Sequence, residues 1–192
     1  PYAAIYTTLG CPYHCTFCCI QAPFKNFESA GNLQNKVNTY RFWDPRSVIT
    51  QIDTLVTKYN VHNLRIADEM FVLNRRHIEA ISDLIIERKY DLNIWAYARV
   101  DSIPEQSILD KLAMAGFKWL CIGIESANQQ VLDNVDKTYQ RSQLFNTIDQ
   151  IRVSGINILG NYIFGLPEDD TSSMQQTLQL AIELNCEFAN FY

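Results

Sequence analysis

Glycine and proline are scarce in this chain, at 7 and 6 of 192 residues, which excludes collagen-like and Pro/Gly-rich disordered classes. A cationic excess is missing as well. Lys and Arg number 16 against 21 Asp and Glu, for a net charge of −5, so broad electrostatic binding to nucleic acid or an anionic membrane is not expected. No apolar run approaches the roughly 20 residues of a membrane span. Histidine is limited to His14, His62 and His77, with no i, i+4 pair to suggest a histidine-based metal site. What is present is a chain with 47% hydrophobic and 19% charged residues, suited to one core and hence to one domain over residues 1–192. Its opening residues, Pro1-Tyr2-Ala3-Ala4-Ile5, carry neither a Met nor the basic flank of a signal peptide. The expectation is a segment of a longer chain.

Short apolar strand patterns alternate with helical ones, as in βα units around a parallel sheet. Strands are expected over Tyr2 to Thr8, Asn63 to Ala67, Leu92 to Ala98, Phe117 to Ile124 and Ile156 to Phe164, with a further one starting at Phe188. Between them, Asp44-Pro45 caps and opens a helix carrying Val48, Ile49, Ile52, Leu55, Val56 and Tyr59. Ile78, Ile81, Leu84 and Ile85 mark a second helix, and Pro104 to Ala115 a third that Gly116 ends. A fourth helix over 141–154 closes at Gly155, and Met174, Leu178, Ala181 and Ile182 mark the last. The resulting fold class is α/β, a partial (β/α)6 TIM-like barrel with a parallel sheet, short of the eight units of a closed barrel.

Alternation along the strands assigns their faces. Leu120, Ile122 and Ile124 suit helix packing, as do Leu92, Ile94, Ala96 and Ala98. The opposite sets, Trp119, Cys121, Gly123 and Glu125 with Asn93, Trp95, Tyr97 and Arg99, are expected to face the lumen.

The six cysteines are unevenly placed. Cys11, Cys15, Cys18 and Cys19 crowd one loop, while Cys121 and Cys186 stand far apart, a spacing that suits metal ligation in a reducing compartment better than a disulfide framework. A reducing compartment is therefore expected, and a cytoplasmic setting where such a loop carries an oxygen-sensitive reduced cluster. Cys11, Cys15 and Cys18 are spaced C-x3-C-x2-C directly after the first strand. Three thiolates on a compact loop can hold three irons of a [4Fe–4S] cube and leave the fourth open to a small molecule. The competing readings are a structural zinc site and an electron-transfer Fe–S module, both of which want a fourth protein ligand.

This triad, with the aromatic Phe17 before its last cysteine, resembles the signature of the radical S-adenosylmethionine (SAM) enzymes, and the later strand ends match along essentially the whole chain. The resemblance implies an enzyme whose cluster, at its free iron, chelates SAM and cleaves it to a 5′-deoxyadenosyl radical. It implies cluster ligation by Cys11, Cys15 and Cys18. It also implies SAM contacts from Asp68 or Glu69 in Ala67-Asp68-Glu69-Met70-Phe71, and from Glu125 and Ser126 at the end of the fourth strand. Arg99, Lys137 and Asn161 resemble further SAM contacts. Ile163-Phe164-Gly165-Leu166-Pro167-Glu168 resembles the adenine-side motif, with Ile163 its leading residue and Asn161 where that pattern has a glycine.

Gly10-Cys11-Pro12, Phe17-Cys18-Cys19, Gly123-Ile124-Glu125-Ser126 and Phe164-Gly165-Leu166-Pro167 look, more narrowly, like the branch often fused to a cobalamin-binding domain. That likeness implies cobalamin on a domain outside this chain and a methyl transfer or cyclisation. The partners it implies are a small-molecule or biosynthetic-intermediate substrate and an electron donor such as flavodoxin or ferredoxin. Cys19 is expected to be a bystander, and Cys121 and Cys186 small core residues.

Overall fold

The computed structural model describes residues 1–20, 40–137 and 139–192. In chain order its elements are β1 (Tyr2–Ile5), β2 (Thr8–Leu9), β3 (Arg41–Phe42), α1 (Pro45–Tyr59), β4 (Asn63–Ile66), α2 (Arg75–Arg88), β5 (Asn93–Arg99), α3 (Gln106–Met114), β6 (Phe117–Glu125), α4 (Gln129–Asn134), α5 (Arg141–Val153), β7 (Asn157–Tyr162), α6 (Thr171–Leu184) and β8 (Phe188–Phe191). Six strands form one sheet in the order β1-β4-β5-β6-β7-β8. Every neighbouring pair is parallel, and helices supply the crossovers that parallel strands require.

The two faces divide as their alternation predicts. Leu120, Ile122 and Ile124 are fully buried, and so are Ile94 and Ala96. They pack against Val48, Ile49 and Ile52 of α1, Ile78, Ile81 and Ile85 of α2, Ile108, Leu109 and Leu112 of α3, and Leu144, Ile148 and Ile151 of α5, in one continuous core. On the other face a cavity of about 460 Å³ is lined by residues from across the sheet, among them Tyr2 of β1, Asn63 of β4, Trp95 of β5, Trp119 of β6 and Phe188 of β8. Side chains of both edge strands can share one cavity only if the sheet curls. This is the partial barrel, open between β1 and β8.

Several boundaries differ from the sequence expectation. The first strand stops at Ile5, because the Thr7 N–H donates to the Asp68 carboxylate instead of a neighbouring strand. Thr8–Leu9 then pairs antiparallel with Arg41–Phe42 in a separate two-stranded sheet. The third helix begins at Gln106, two residues beyond Pro104, because Glu105 is still extended. A short helix, α4, caps on Asn128, whose side chain accepts from Gln130 and Val131 N–H. On α6 the buried stripe is Ser173, Thr177, Leu180 and Leu184, while Leu178 and Ile182 are exposed. Gly116 is required where it stands. Its φ is +96°, and a Cβ there would meet the Leu92 carbonyl oxygen at 2.6 Å.

Candidate functional site

Candidate site residues collect at the C-terminal ends of the strands, the face where (β/α) barrels place their chemistry. The cysteine loop follows β2. Cys11 is buried against Tyr40 and Met70, with Tyr13, Ile20 and Leu73 packed around them, and the Tyr40 hydroxyl donates to the Met70 carbonyl. This packing presses the loop onto the Asp68-Glu69-Met70 segment at the end of β4. A turn in which Cys18 N–H donates to the Cys15 carbonyl at 3.0 Å folds the rest of the triad back. Burial pushes the Cys11 thiol up, the Tyr13 N–H pulls it down, and Cys15, Cys18 and Arg99 all act on it electrostatically. The three sulfurs therefore share one neighbourhood. Cys18, Cys19 and Phe17 are exposed.

Arg99, at the last residue of β5, ties the sheet to this loop. Its Nε and Nη2 donate to the two Asp101 carboxylate oxygens at 2.8 and 2.9 Å, and its Nη1 donates to Cys15 Sγ at 3.0 Å. The guanidinium carbon lies 3.9 Å from the centre of the Tyr13 ring, an attractive cation–π placement. Burial opposes the charge, but the Asp101 pair outweighs it and holds Arg99 above its ordinary value. Asp101 is held below the usual carboxylate range by the same pair, against the effect of its own burial.

One strand over, β6 ends in a distortion. The register with β7 shifts between Gly123 and Glu125, and Glu125 takes φ +64°, an uncommon conformation for a residue with a side chain. This turn aims Glu125 at Lys137, whose Nζ stands 2.5 Å from Glu125 Oε1 and donates to the Gly123 carbonyl at 3.1 Å. Both side chains are more than nine-tenths buried. A Cβ on Gly123 would lie 2.5 Å from Glu125 Oε1 and 2.9 Å from Lys137 Nζ, so only glycine leaves the pair its space.

Asp68 and Glu69 are adjacent and placed differently. Asp68 is fully buried, and its two oxygens accept from Thr7 N–H at 2.6 Å and Thr7 Oγ1 at 2.5 Å. His77 Nε2 lies 3.0 Å from the same Thr7 hydroxyl. Asp68 thus anchors the end of β1, and a lumen contact from this carboxylate is not what the structure provides. Glu69 keeps one buried oxygen, Oε2, without a hydrogen-bond partner. Burial raises its carboxyl above the ordinary range, although the Gly10 N–H counters the rise. Ser126 is likewise occupied: its hydroxyl is 3.3 Å from Thr177 Oγ1 and accepts from Asn128 N–H. Asn161 is on the lumen face of β7 and accepts from Asn190 at 3.3 Å. Ile163 packs on Val131, Val135 and Leu166, and its N–H donates to the Glu125 carbonyl at 2.9 Å.

The structure therefore brings together Cys11, Cys15, Cys18, Glu69 and Arg99 around one loop, and Glu125, Lys137 and Ile163 beside it. It gives Asp68 and Ser126 to the scaffold. Sequence reasoning overlooked Tyr13, whose only signal was an aromatic inside the cysteine loop, and it set His77 aside as a lone histidine. Among the described residues no three His, Cys, Asp or Glu side chains converge closely enough to hold a single metal ion.

A model of the radical SAM superfamily matches residues 5–181. The chain belongs to this superfamily. Radical SAM membership implies a [4Fe–4S] cluster and SAM, and the residues present fit them. Three thiols lie on one loop with a guanidinium on the middle one, and a buried carboxylate oxygen stands unmet beside it. The chain is 24% identical over 191 residues to an uncharacterised methyltransferase of Pyrococcus horikoshii, covering 100% of this chain and 39% of that protein. It is 26% identical over 183 residues to the anaerobic magnesium-protoporphyrin IX monomethyl ester cyclase of Rubrivivax gelatinosus, covering 95% of this chain and 31% of the cyclase. The chain thus spans between about a third and two-fifths of the length of these curated relatives. The fold is that of the radical SAM methyltransferase TsrM of Kitasatospora setae, with a TM-score of 0.81 and 19% identity over 99% of this chain and 35% of TsrM. TsrM has been solved with tryptophan and a SAM analogue, and with cobalamin and a [4Fe–4S] cluster. No helix of the described residues is long and apolar enough to cross a membrane.

Proposed function

We propose that these 192 residues are the SAM-cleaving core of a radical SAM enzyme, one domain of a longer protein, with Cys11, Cys15 and Cys18 as the cluster ligands. When bound, such a cluster and SAM supply reductive cleavage of the sulfonium bond and a carbon radical that takes hydrogen from substrate. The observation that carries the reading is the contact of Arg99 with Cys15 Sγ, which places a fixed positive charge against a loop of three thiols.

The chain's own residues then divide the work. Arg99, locked by Asp101, orients the Cys15 sulfur and offsets the negative charge of ligated thiolates. Glu69 offers its unmet oxygen to the SAM amino group, a charge-assisted hydrogen bond that ends the cost of leaving that oxygen buried and unpaired. Glu125 and Lys137 present a paired charge at the end of β6 to the polar part of SAM, and Asn161 adds an amide on the lumen side. Ile163 and the apolar residues around it form the wall for the adenine, and Phe17, exposed on the cysteine loop, is left to meet the bound cofactor. The substrate enters as a small molecule, and a flavodoxin- or ferredoxin-type protein delivers the electron.

Cobalamin-dependent methyl transfer or cyclisation is the reaction we favour, with cobalamin on a domain outside these residues. Support for this finer reading comes from the names of the methyltransferase and cyclase relatives and from the cobalamin bound to TsrM. The test is anaerobic iron–sulfur reconstitution followed by EPR of the dithionite-reduced protein with and without SAM. A cubane signal that changes on adding SAM, with 5′-deoxyadenosine formed, supports the proposal. A cluster spectrum indifferent to SAM overturns it.

A further inference from the structure

Arg99 and Glu69 meet the cysteine loop from the lumen side, and the outer flank of the loop is the β2–β3 hairpin. Leu9, two residues before Cys11, pairs with Arg41, and Thr8 pairs with Phe42. The chain then passes through Trp43, whose N–H donates to the Thr7 carbonyl at 3.0 Å, and into the first turn of α1. Phe42 and Trp43 are 42% and 37% exposed, two large rings offered to solvent on so small a sheet. Phe42 is nevertheless fixed in place. Its ring meets that of His77 edge-on at 5.2 Å and that of Tyr40 at 4.5 Å. Tyr40 is buried and packs on Cys11. One buried ring therefore separates an exposed ring from a proposed cluster ligand.

The charges around these rings are mostly positive. Arg41 is exposed beside them on β3, Arg46 is exposed in the first turn of α1, and Arg76, the residue before His77, is exposed in the first turn of α2. Arg75 alongside is tied to Glu79 and Glu105. Arg46 and Arg76 meet no carboxylate among the described residues. The carboxylate of this stretch, Asp44, accepts from the Arg46 N–H at 2.8 Å as the cap of α1. Both helices also present their N-termini here, which adds partial positive charge. A chain with a net charge of −5 thus keeps a basic face with exposed aromatics beside its loop of three thiols. Arginine and aromatic side chains are the residues enriched at protein–protein contacts.

We propose that the face formed by Arg41, Phe42, Trp43, Arg46 and Arg76 is the docking surface of an acidic one-electron carrier protein. The proposal rests on the radical SAM reading above, which calls for an electron donor and does not say where it binds. Electron tunnelling falls off steeply with distance, so a carrier must dock where a cluster ligand lies nearest an open surface. In that reading SAM takes the lumen side of the loop, and the hairpin flank meets the condition through Tyr40. The carrier loses one electron and the cube held by Cys11, Cys15 and Cys18 gains it, with no bond made or broken and no proton moved. The arginines steer an acidic partner and orient it, and the exposed rings exclude water from the contact. Three arginines on a small face suit the limited interface of an electron-transfer encounter, whereas nucleic acid is held by a longer row of cations along its phosphates.

The test is calorimetric titration of two acidic carriers, a flavodoxin and a [2Fe–2S] ferredoxin, both oxidised, into the protein without and then with its reconstituted cluster. At least one should bind at low salt, and more weakly at about 0.15 M. Arg46→Glu/Arg76→Glu should weaken that binding about ten-fold. Lys58→Glu/Lys118→Glu, the same charge change on exposed lysines toward the other end of the strands, should leave it within about two-fold. A glutamate in the first turn of a helix is favourable, so the arginine reversals suit α1 and α2. Should that variant still fail to fold, the wild-type protein decides: the Trp43 indole N–H resonance, assigned with Trp43→Phe, should shift on adding the carrier, while those of Trp95 and Trp119 stay in place. No binding by either carrier, equal losses in the two double variants, or an unmoved Trp43 resonance overturns the docking surface. Tighter binding of a short single-stranded DNA than of either carrier overturns the carrier assignment. A cluster indifferent to SAM, with the arginine effect intact, strikes the radical SAM reading and leaves the docking surface standing; a SAM-responsive cluster without the arginine effect does the reverse.

Discussion

Arg99 Nη1 donates to Cys15 Sγ across 3.0 Å, while the rest of the same guanidinium is clamped by Asp101. A rigid planar cation held on both sides does what a lysine on a flexible stem cannot: it fixes the direction in which a thiolate sulfur is met. The clamp also explains why a charge can sit at the inner end of β5, since the side chain of Arg99 is 7% exposed and that of Asp101 20%.

The first prediction concerns this clamp. A double-mutant cycle of Arg99→Ala and Asp101→Asn, followed by urea unfolding of the cluster-free protein, should return a coupling of about 1–3 kcal/mol. Exposed ion pairs give less than about 1 kcal/mol. A coupling at or below that level would mean the pair is loosely held and cannot orient Cys15.

The second concerns Gly123. Its absent side chain is what lets Glu125 and Lys137 meet, because a Cβ would sit 2.5 Å from one and 2.9 Å from the other. The clashing atoms are the ends of flexible side chains, so Gly123→Ala should cost only about 1–2 kcal/mol in stability. It should nevertheless displace the pair, and SAM affinity should fall as far as in Glu125→Ala, with iron content after reconstitution unchanged in both. Full SAM affinity in Gly123→Ala would separate this ion pair from the ligand.

Much of this architecture is legible in the sequence, and the exceptions share a cause. The six parallel strands, their two faces and the helix-ending glycines follow from periodicity and φ preference, which are local. The cysteine triad stands out in the sequence because its spacing, C-x3-C-x2-C, is itself local. The end of β1 is not legible, since Tyr2 to Thr8 reads as one unbroken run compatible with a strand and only Asp68, far along the chain, takes the Thr7 N–H out of the sheet. Asp68 and Glu69 are equivalent in sequence and opposite in role, one spent on Thr7 and one with a free oxygen. The helix α4 is too short, at 6 residues, for a periodic signal.

The third prediction is a pH dependence of stability from the Thr7, Asp68 and His77 chain. Burial lowers His77 below its ordinary value of 6.5. Between that lowered value and 6.5 the unfolded chain therefore binds more protons than the folded one, and stability falls as pH drops through this window. Asp68 works in the opposite sense, since burial raises it above 3.8, and the folded state gains relative stability as pH falls toward that value. His77→Gln removes the first effect. The urea midpoint of the wild-type protein should decline more steeply between pH 7 and about 5 than that of His77→Gln; parallel profiles would show that His77 titrates as freely folded as unfolded.

The fourth turns on adjacent cysteines. Cys18 and Cys19 are both exposed, so burial does not distinguish them, but Cys18 is held in the turn whose N–H donates to the Cys15 carbonyl. A turn of that kind returns the Cys18 side chain toward the neighbourhood of Cys11 and Cys15. An adjacent residue projects differently from the backbone and cannot serve the same compact site without strain. Cys11→Ala, Cys15→Ala and Cys18→Ala should each lower iron content after anaerobic reconstitution and abolish SAM cleavage, whereas Cys19→Ala should keep both at wild-type level. Iron loss in Cys19→Ala would make it a fourth ligand. The cube would then have no open iron for SAM, and an electron-transfer centre would become the better account of this loop.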